Sequence, residues 1–232
     1  MKGIPYLIAG SLCLTTVGSF AQSVTLYGVI DAGVGYLSHA SATGDKLVRM
    51  PAVTGPLPSR WGLRGTEDLG SGYTASFVLE SGFNPRGGDL GQGGRLFGRQ
   101  AWVGISGPFG IVSFGRQYTM TYVALLDNDI LGPDIYGLGS LNAYFPNSRS
   151  DNSVVYKKSL GPFTIGASYS FGRDSAGAGN PPGQGTCAGS VAGDFRQCTD
   201  LSAMVKCDAP TYGMVVSYEE QRGGANVAYN FF

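Results

Sequence analysis

From Tyr73 onward the chain alternates. Tyr73, Ala75, Phe77 and Leu79 fall on one side, and Thr74, Ser76, Val78 and Glu80 on the other. A period of two is that of a β-strand with two different faces. In the arm before it, Trp61 and Leu63 share a side while Arg60, Gly62 and Arg64 share the opposite one. The Gly- and Asp-containing stretch from Glu67 to Gly72 suits a sharp reversal between the arms. The hairpin therefore presents one apolar, aromatic surface and one surface of arginines, a carboxylate and hydroxyls. In a soluble sandwich the apolar face is core; in a membrane barrel it meets lipid and the polar face lines a wet lumen.

The same rhythm repeats along the chain. Val24 to Tyr36 reads as a first strand, with Val24, Leu26, Ile30, Ala32, Val34 and Tyr36 on one face. Phe97 to Ser106 is a further strand; taking Trp102 as lipid-facing puts Arg99, Ala101 and Val103 on the inner side. Val112 and Phe114 mark the outer face of a short strand ending near Gln117. Asp151 to Lys158 pairs with Phe163 to Phe171, and Thr199 to Cys207 with Thr211 to Glu220. Nine strands are expected in all. Their connections alternate between short (67–72, 107–110, 159–162, 208–210) and long (38–58, 84–95, 118–148, 172–197). That order predicts an up-and-down antiparallel sheet with one short-turn rim and one long-loop rim, and it disfavours a Greek-key sandwich. The 118–148 connection is long for a compact domain and carries apolar residues, so it is expected to pack against something and to be functional.

Composition sharpens the choice. Only 14% of residues are charged, against 38 glycines in 232 residues and 12% aromatics, whereas soluble domains carry about 25% charged residues. The balance of 16 basic and 16 acidic residues argues against a nucleic-acid partner held by charge. Residues 1–21 read as a signal peptide. Lys2 precedes a largely apolar Ile4–Val17 run, and Ser19-Phe20-Ala21 sets small residues for cleavage before Gln22. Without Lys2, 15 basic residues face 16 acidic ones. No later segment is apolar for the ~18 or more residues of a membrane helix, which leaves a closed sheet as the way to span a bilayer.

Little in the chain suggests catalysis. His39, the single histidine, begins a loop with nothing nearby to complete a catalytic or metal site, so no enzyme activity, metal or cofactor is expected. Cys187 and Cys198 lie in or beside one long loop, and an oxidising compartment favours their pairing. The alternative is three unpaired thiols, and Cys207 is the odd one in either case.

VTLYGVIDAGVGY, SRWGLRGTEDLGSGYTASFVLESGF, GGRLFGRQAWVGISGPFGIVSFGRQY and DNSVVYKKSLGPF together resemble the general porins of Gram-negative bacteria, most closely the β-proteobacterial type, from Ser23 to about Gln221. The resemblance implies an all-β, antiparallel transmembrane β-barrel of the sixteen-stranded type. It implies a homotrimer in outer-membrane lipid that passes ions and small polar solutes. It also implies a third loop, here about 118–148, folded inward to narrow the pore. Arg60, Arg99 and Arg149 match basic wall positions of the constriction, and Asp127, Asp129 and Asp134 match the acidic loop. Val29 stands where some relatives carry a basic residue, and Gly132-Pro133-Asp134-Ile135 only loosely matches the loop motif, which leaves ion selectivity open. A non-conducting adhesin or structural barrel is the alternative. Nine strands cover about half of the family pattern, and Val227, Tyr229 and Phe231 run out of phase with Phe232. The 22–232 region is thus expected to be part of a barrel, and a truncated, non-functional fragment is a further alternative.

Overall fold

The computed structural model describes residues 23–51, 53–54, 57–126, 148–173 and 192–222. Its centre is one antiparallel sheet of nine strands: β1 (Ser23–Val29), β4 (Arg60–Gly70), β5 (Tyr73–Gly82), β6 (Gln100–Gly107), β7 (Gly110–Tyr118), β8 (Arg149–Leu160), β9 (Phe163–Ser170), β10 (Asp200–Asp208) and β11 (Gly213–Gln221). They pair in that order, β1 with β4 and each later strand with the next in the chain. Two short strands, β2 (Gly35–Leu37) and β3 (Leu47–Arg49), form a separate hairpin within the first long connection. The nine expected main strands are those observed, and the short and long connections alternate as expected.

The first strand differs from its expectation. Alternation continues to Tyr36, but main-sheet pairing stops at Val29. Asp31 is tied elsewhere: its backbone N–H donates to Ser59 Oγ at 2.8 Å, and its carboxylate accepts from the backbone N–H of Thr54 at 2.6 Å and from the Thr54 hydroxyl. The chain leaves the sheet there, and Gly35–Leu37 finds its partner in Leu47–Arg49 instead.

Residues directly opposite each other in an antiparallel pair project to the same face, so the registers assign the faces. One face carries Leu26 opposite Leu63, Leu63 opposite Leu79, Phe77 opposite Val103, Val103 opposite Phe114, and Phe114 opposite Val154. It continues through Tyr169, Leu201 and Val205 to Val216 and Tyr218. Many of these side chains are bare; Leu26, Val103 and Val216 are 69%, 56% and 72% exposed. An exposed apolar band this continuous suits hydrocarbon and not water. The other face carries Thr74, Ser76, Glu80, Gln100, Ser113, Ser153, Ser168, Ser202 and Ser217.

Trp102 corrects one expectation. It lies opposite Val78, on the polar face, where its indole N–H donates to Gln100 Oε1 at 3.1 Å. Ala101, opposite Leu79, and Val103, opposite Phe77, take the apolar face. The indole has a donor to satisfy, and the Gln100 carboxamide on the same face provides the acceptor.

The segment after β7 turns back onto the polar face as helix α2 (Met120–Leu126); the earlier α1 (Gly91–Gly94) is a single turn between β5 and β6. Thr119 caps α2, its hydroxyl accepting from the backbone N–H of Tyr122 at 3.3 Å. The Met120 N–H donates to Ser202 Oγ at 2.7 Å, so a serine of the wall satisfies an orphan donor of the helix. Met120 and Ala124 pack with Val155 and Met204 in a small buried cluster. Gly166 permits this seat: a Cβ there would sit 2.5 Å from Met120 Sδ. Around it the wall serines bond one another and the backbone, with Ser168 to Ser202 at 2.6 Å and Ser170 Oγ to the carbonyl of Asp151 at 2.6 Å. No helix among the described residues is long and apolar enough to cross a membrane.

Candidate functional site

Glu80 is the hub of the polar face. Along β5 it falls opposite Gly62 on one side and Gln100 on the other. At Gly62 a Cβ would stand 2.8 Å from the Tyr27 ring, so the glycine makes room for Tyr27 to cross the wall. The Tyr27 hydroxyl donates to Glu80 Oε2 at 3.0 Å. Arg60 Nε lies 3.5 Å from the same oxygen. Arg99 Nε donates to Glu80 Oε1 at 2.7 Å, and both side chains are 6% exposed.

From there the network passes to the end of β7. Arg99 and Arg149 both donate to the Tyr118 hydroxyl, at 3.1 and 3.3 Å. The Arg149 guanidinium lies over the Tyr118 ring at 4.7 Å and the Tyr122 ring at 5.8 Å, and these two rings stack at 4.8 Å. Cations over aromatic faces are held by the ring quadrupole. Burial pushes the Tyr122 phenol above its ordinary pKa range, so the ring stays neutral beneath the guanidinium. Arg149 also donates to Ser148 Oγ at 2.9 Å, and its Nε has no partner among the described residues.

The three wall arginines expected from the sequence thus meet, linked through Glu80 and Tyr118. The acidic residues paired with them in expectation, Asp127, Asp129 and Asp134, lie outside the described residues. Sequence reasoning placed Glu80 on the polar face without assigning it a site, and it missed Tyr27, Tyr118 and Tyr122 as members. The available signal was register: Gly62 opposite Glu80 leaves a gap that a neighbouring tyrosine fills. A second cluster was not anticipated. Arg95 and Arg116 both donate to Asp151 Oδ1 at 2.9 Å, and Arg116 Nε donates to the Gly98 carbonyl at 2.7 Å. This cluster ties the connection before β6 to β7 and β8.

Other candidates resolve simply. His39 is exposed, with its Nδ1 3.1 Å from Ser38 Oγ. In the same loop Asp45 accepts from Ser41 and Thr43, which holds its carboxyl below the usual range. Cys207 is a free thiol, Cys198 is disulfide-bonded, and Cys187 lies outside the described residues. No three His, Cys, Asp or Glu side chains among the described residues gather as metal donors.

Comparison with known proteins agrees with this architecture. Residues 9–231 match the Gram-negative porin family. The chain is 42% identical over 164 residues to an outer membrane porin protein of Bordetella pertussis, covering 64% of this chain and 43% of that one. It is 31% identical over 236 residues to outer membrane porin protein 32 of Delftia acidovorans, covering 97% of this chain and 65% of the relative. Among solved structures, the anion-selective porin from Comamonas acidovorans superposes with a TM-score of 0.69 at 26% identity, over 87% of this chain and 58% of that one. The chain spans less than two thirds of the length of these relatives. Its nine-stranded sheet with one apolar and one polar face, the arginine cluster on the polar side and the match over nearly all its residues place it: the chain belongs to the Gram-negative porins of the outer membrane.

Proposed function

We propose that the protein forms a passive diffusion channel for ions and small hydrophilic solutes, with a preference for anions. The observation that carries this reading is the cluster on the polar face, where among the described residues three guanidinium groups meet one carboxylate. Fixed positive charge lining a water-filled path raises the local concentration of anions and repels cations. The solved relative named an anion-selective porin supports the same direction. In this reading the apolar band faces lipid and the protein catalyses nothing. The 118–148 segment narrows the lumen, with Asp127, Asp129 and Asp134 facing Arg60, Arg99 and Arg149 across the slot; the opposed charges set a transverse field, and anions pass along its arginine side. Residues 1–21 are removed on export, the subunits assemble as trimers, and Cys187 pairs with Cys198.

Planar-bilayer recording tests the channel. Ohmic steps and a reversal potential of anionic sign in a KCl gradient are expected. Arg149→Ala is expected to lower the anion-to-cation permeability ratio about twofold or more, since potentials of several kT act at such sites. Arg95→Ala, in the cluster that ties a connection, is expected to leave the ratio unchanged. A folded protein that gives no steps and binds cell surfaces would transfer the case to the adhesin reading. Mass analysis after alkylation tests the cysteines: Cys207 is expected to label without reduction, and Cys187 and Cys198 only after it.

A further inference from the structure

Far from the arginine cluster, the polar face carries a second basic site. A cavity of about 480 Å³ lies at the short-turn end of β6 to β9, lined by Ser106, Ile111, Lys157, Lys158, Ser159 and Thr164 among others. The registers bring five of these side chains to one face, while Lys158, opposite Ile165, projects to the other. Ser106 is opposite Ile111, and Ile111 is opposite Lys157, so all three share one face. Ser159 is opposite Thr164 on that face, and their hydroxyls stand 3.2 Å apart. Lys157 is opposite Gly166 on the far side, over which Met120 and Met204 pack. It is half-buried, and no carboxylate among the described residues stands within ion-pair distance of it. Lys206 is different: it is matched to Asp208 at 3.1 Å.

A partly desolvated ammonium without a counter-charge, beside hydroxyls that can donate, is a site short of an anion. We propose that this cavity binds a small oxyanion, with Lys157 as the charge and the Ser159–Thr164 hydroxyl pair as donor to one of its remaining oxygens; Ser106, whose hydroxyl donates to the Thr74 carbonyl, only lines the site. Lys157 lies eight residues from Arg149 along β8, roughly 26 Å at strand rise. An anion leaving the arginine cluster therefore meets a second holding point before the short-turn mouth. Two weak sites in series let a second ion relieve the first, whereas one strong site would trap it. The functional meaning of the site rests on the channel reading; the binding itself does not.

The test reads binding and not conductance. The full chain is refolded in detergent, its lysines are reductively ¹³C-dimethylated, and inorganic phosphate is titrated at constant ionic strength. The Lys157 methyl signal, assigned by its loss in Lys157→Gln, is expected to move and saturate with a half-point on the order of millimolar. The exposed Lys46 is expected to stay still. Thr164→Val, which keeps the charge, is expected to weaken the response roughly tenfold by removing a donor to a charged ligand. A Lys157 signal that moves no more than that of Lys46 overturns the proposal. Because the protein need not conduct for this measurement, a channel that fails to open and an oxyanion that fails to bind are separate results.

Discussion

Two buried carboxylates on this sheet each gather arginines, and they do different work. Asp151 takes Arg95 and Arg116, and Arg116 is held further by the Gly98 carbonyl. Each partner is chain that must be fastened: a connection to a strand, and one strand to the next. Glu80 takes Arg60 and Arg99, with Tyr27 as a third donor. Beyond it Arg149 rests on tyrosine rings with no carboxylate of its own among the described residues. Among the described residues both clusters hold more cations than carboxylates, two to one at Asp151 and three to one around Glu80, and the extra cation of the second, Arg149, is held on rings. The difference teaches that counting buried ion pairs does not locate function; the ratio of cations to carboxylates, and whether rings replace counter-ions, does.

The comparison breaks most directly at the carboxylates. Removing one member of a buried charged group leaves the others uncompensated, at a cost of about 3–5 kcal/mol. Glu80→Gln is expected to lower the unfolding free energy of the refolded protein, read from a urea titration, by that amount and to disturb Arg99 and Arg60 together. Asp151→Asn is expected to cost less, because Arg116 keeps its carbonyl partner. Equal losses would mean that the clusters differ in place only.

Next in size is the seat of α2, which carries Tyr122 beneath Arg149. Gly166→Val forces a side chain against Met120. Overpacking of this kind costs about 1–3 kcal/mol. It is expected to raise thiol labelling of a Thr121→Cys reporter, while the Asp151 cluster stays intact. Smaller again is Tyr27→Phe, which removes one donor to Glu80 and is expected to cost about 1 kcal/mol in the same urea titration.

The smallest perturbation sharpens the assignment of faces. Trp61, opposite Gly28 and Ser81, and Trp102, opposite Val78, are the two tryptophans of the chain. In Trp61→Phe, the remaining Trp102 fluorescence is expected to be quenched by aqueous iodide and spared by brominated acyl chains. The reverse pattern would invert the sheet.

Much of the fold was legible because the strands alternate and the turns are short. Phe163, Ile165, Ala167 and Tyr169 against Thr164, Gly166, Ser168 and Ser170 leave little room for another reading. Trp102 failed where alternation gives no label: Ala101, Trp102 and Val103 are three apolar residues in a row, and only the partner strands decide which of them face lipid. Val24 to Tyr36 failed for a related reason. A period of two reports an extended chain, not its partner, and Asp31 diverts that chain through Ser59 and Thr54. For the site, the type of residue named Arg60, Arg99 and Arg149, while Glu80 and Tyr118 needed the register that brings β1, β4, β5 and β7 into line.

The four brief turns, beginning at Gly70, Gly107, Leu160 and Asp208, carry a wider consequence. They set the alignment of neighbouring strands from a single border, so the opposite border is free to drift. Insertions in the first long connection should lengthen that border without shifting the register of the nine strands. The stretches fastened through Arg95 and Met120 are the exceptions, since any added length there pulls on the polar wall itself.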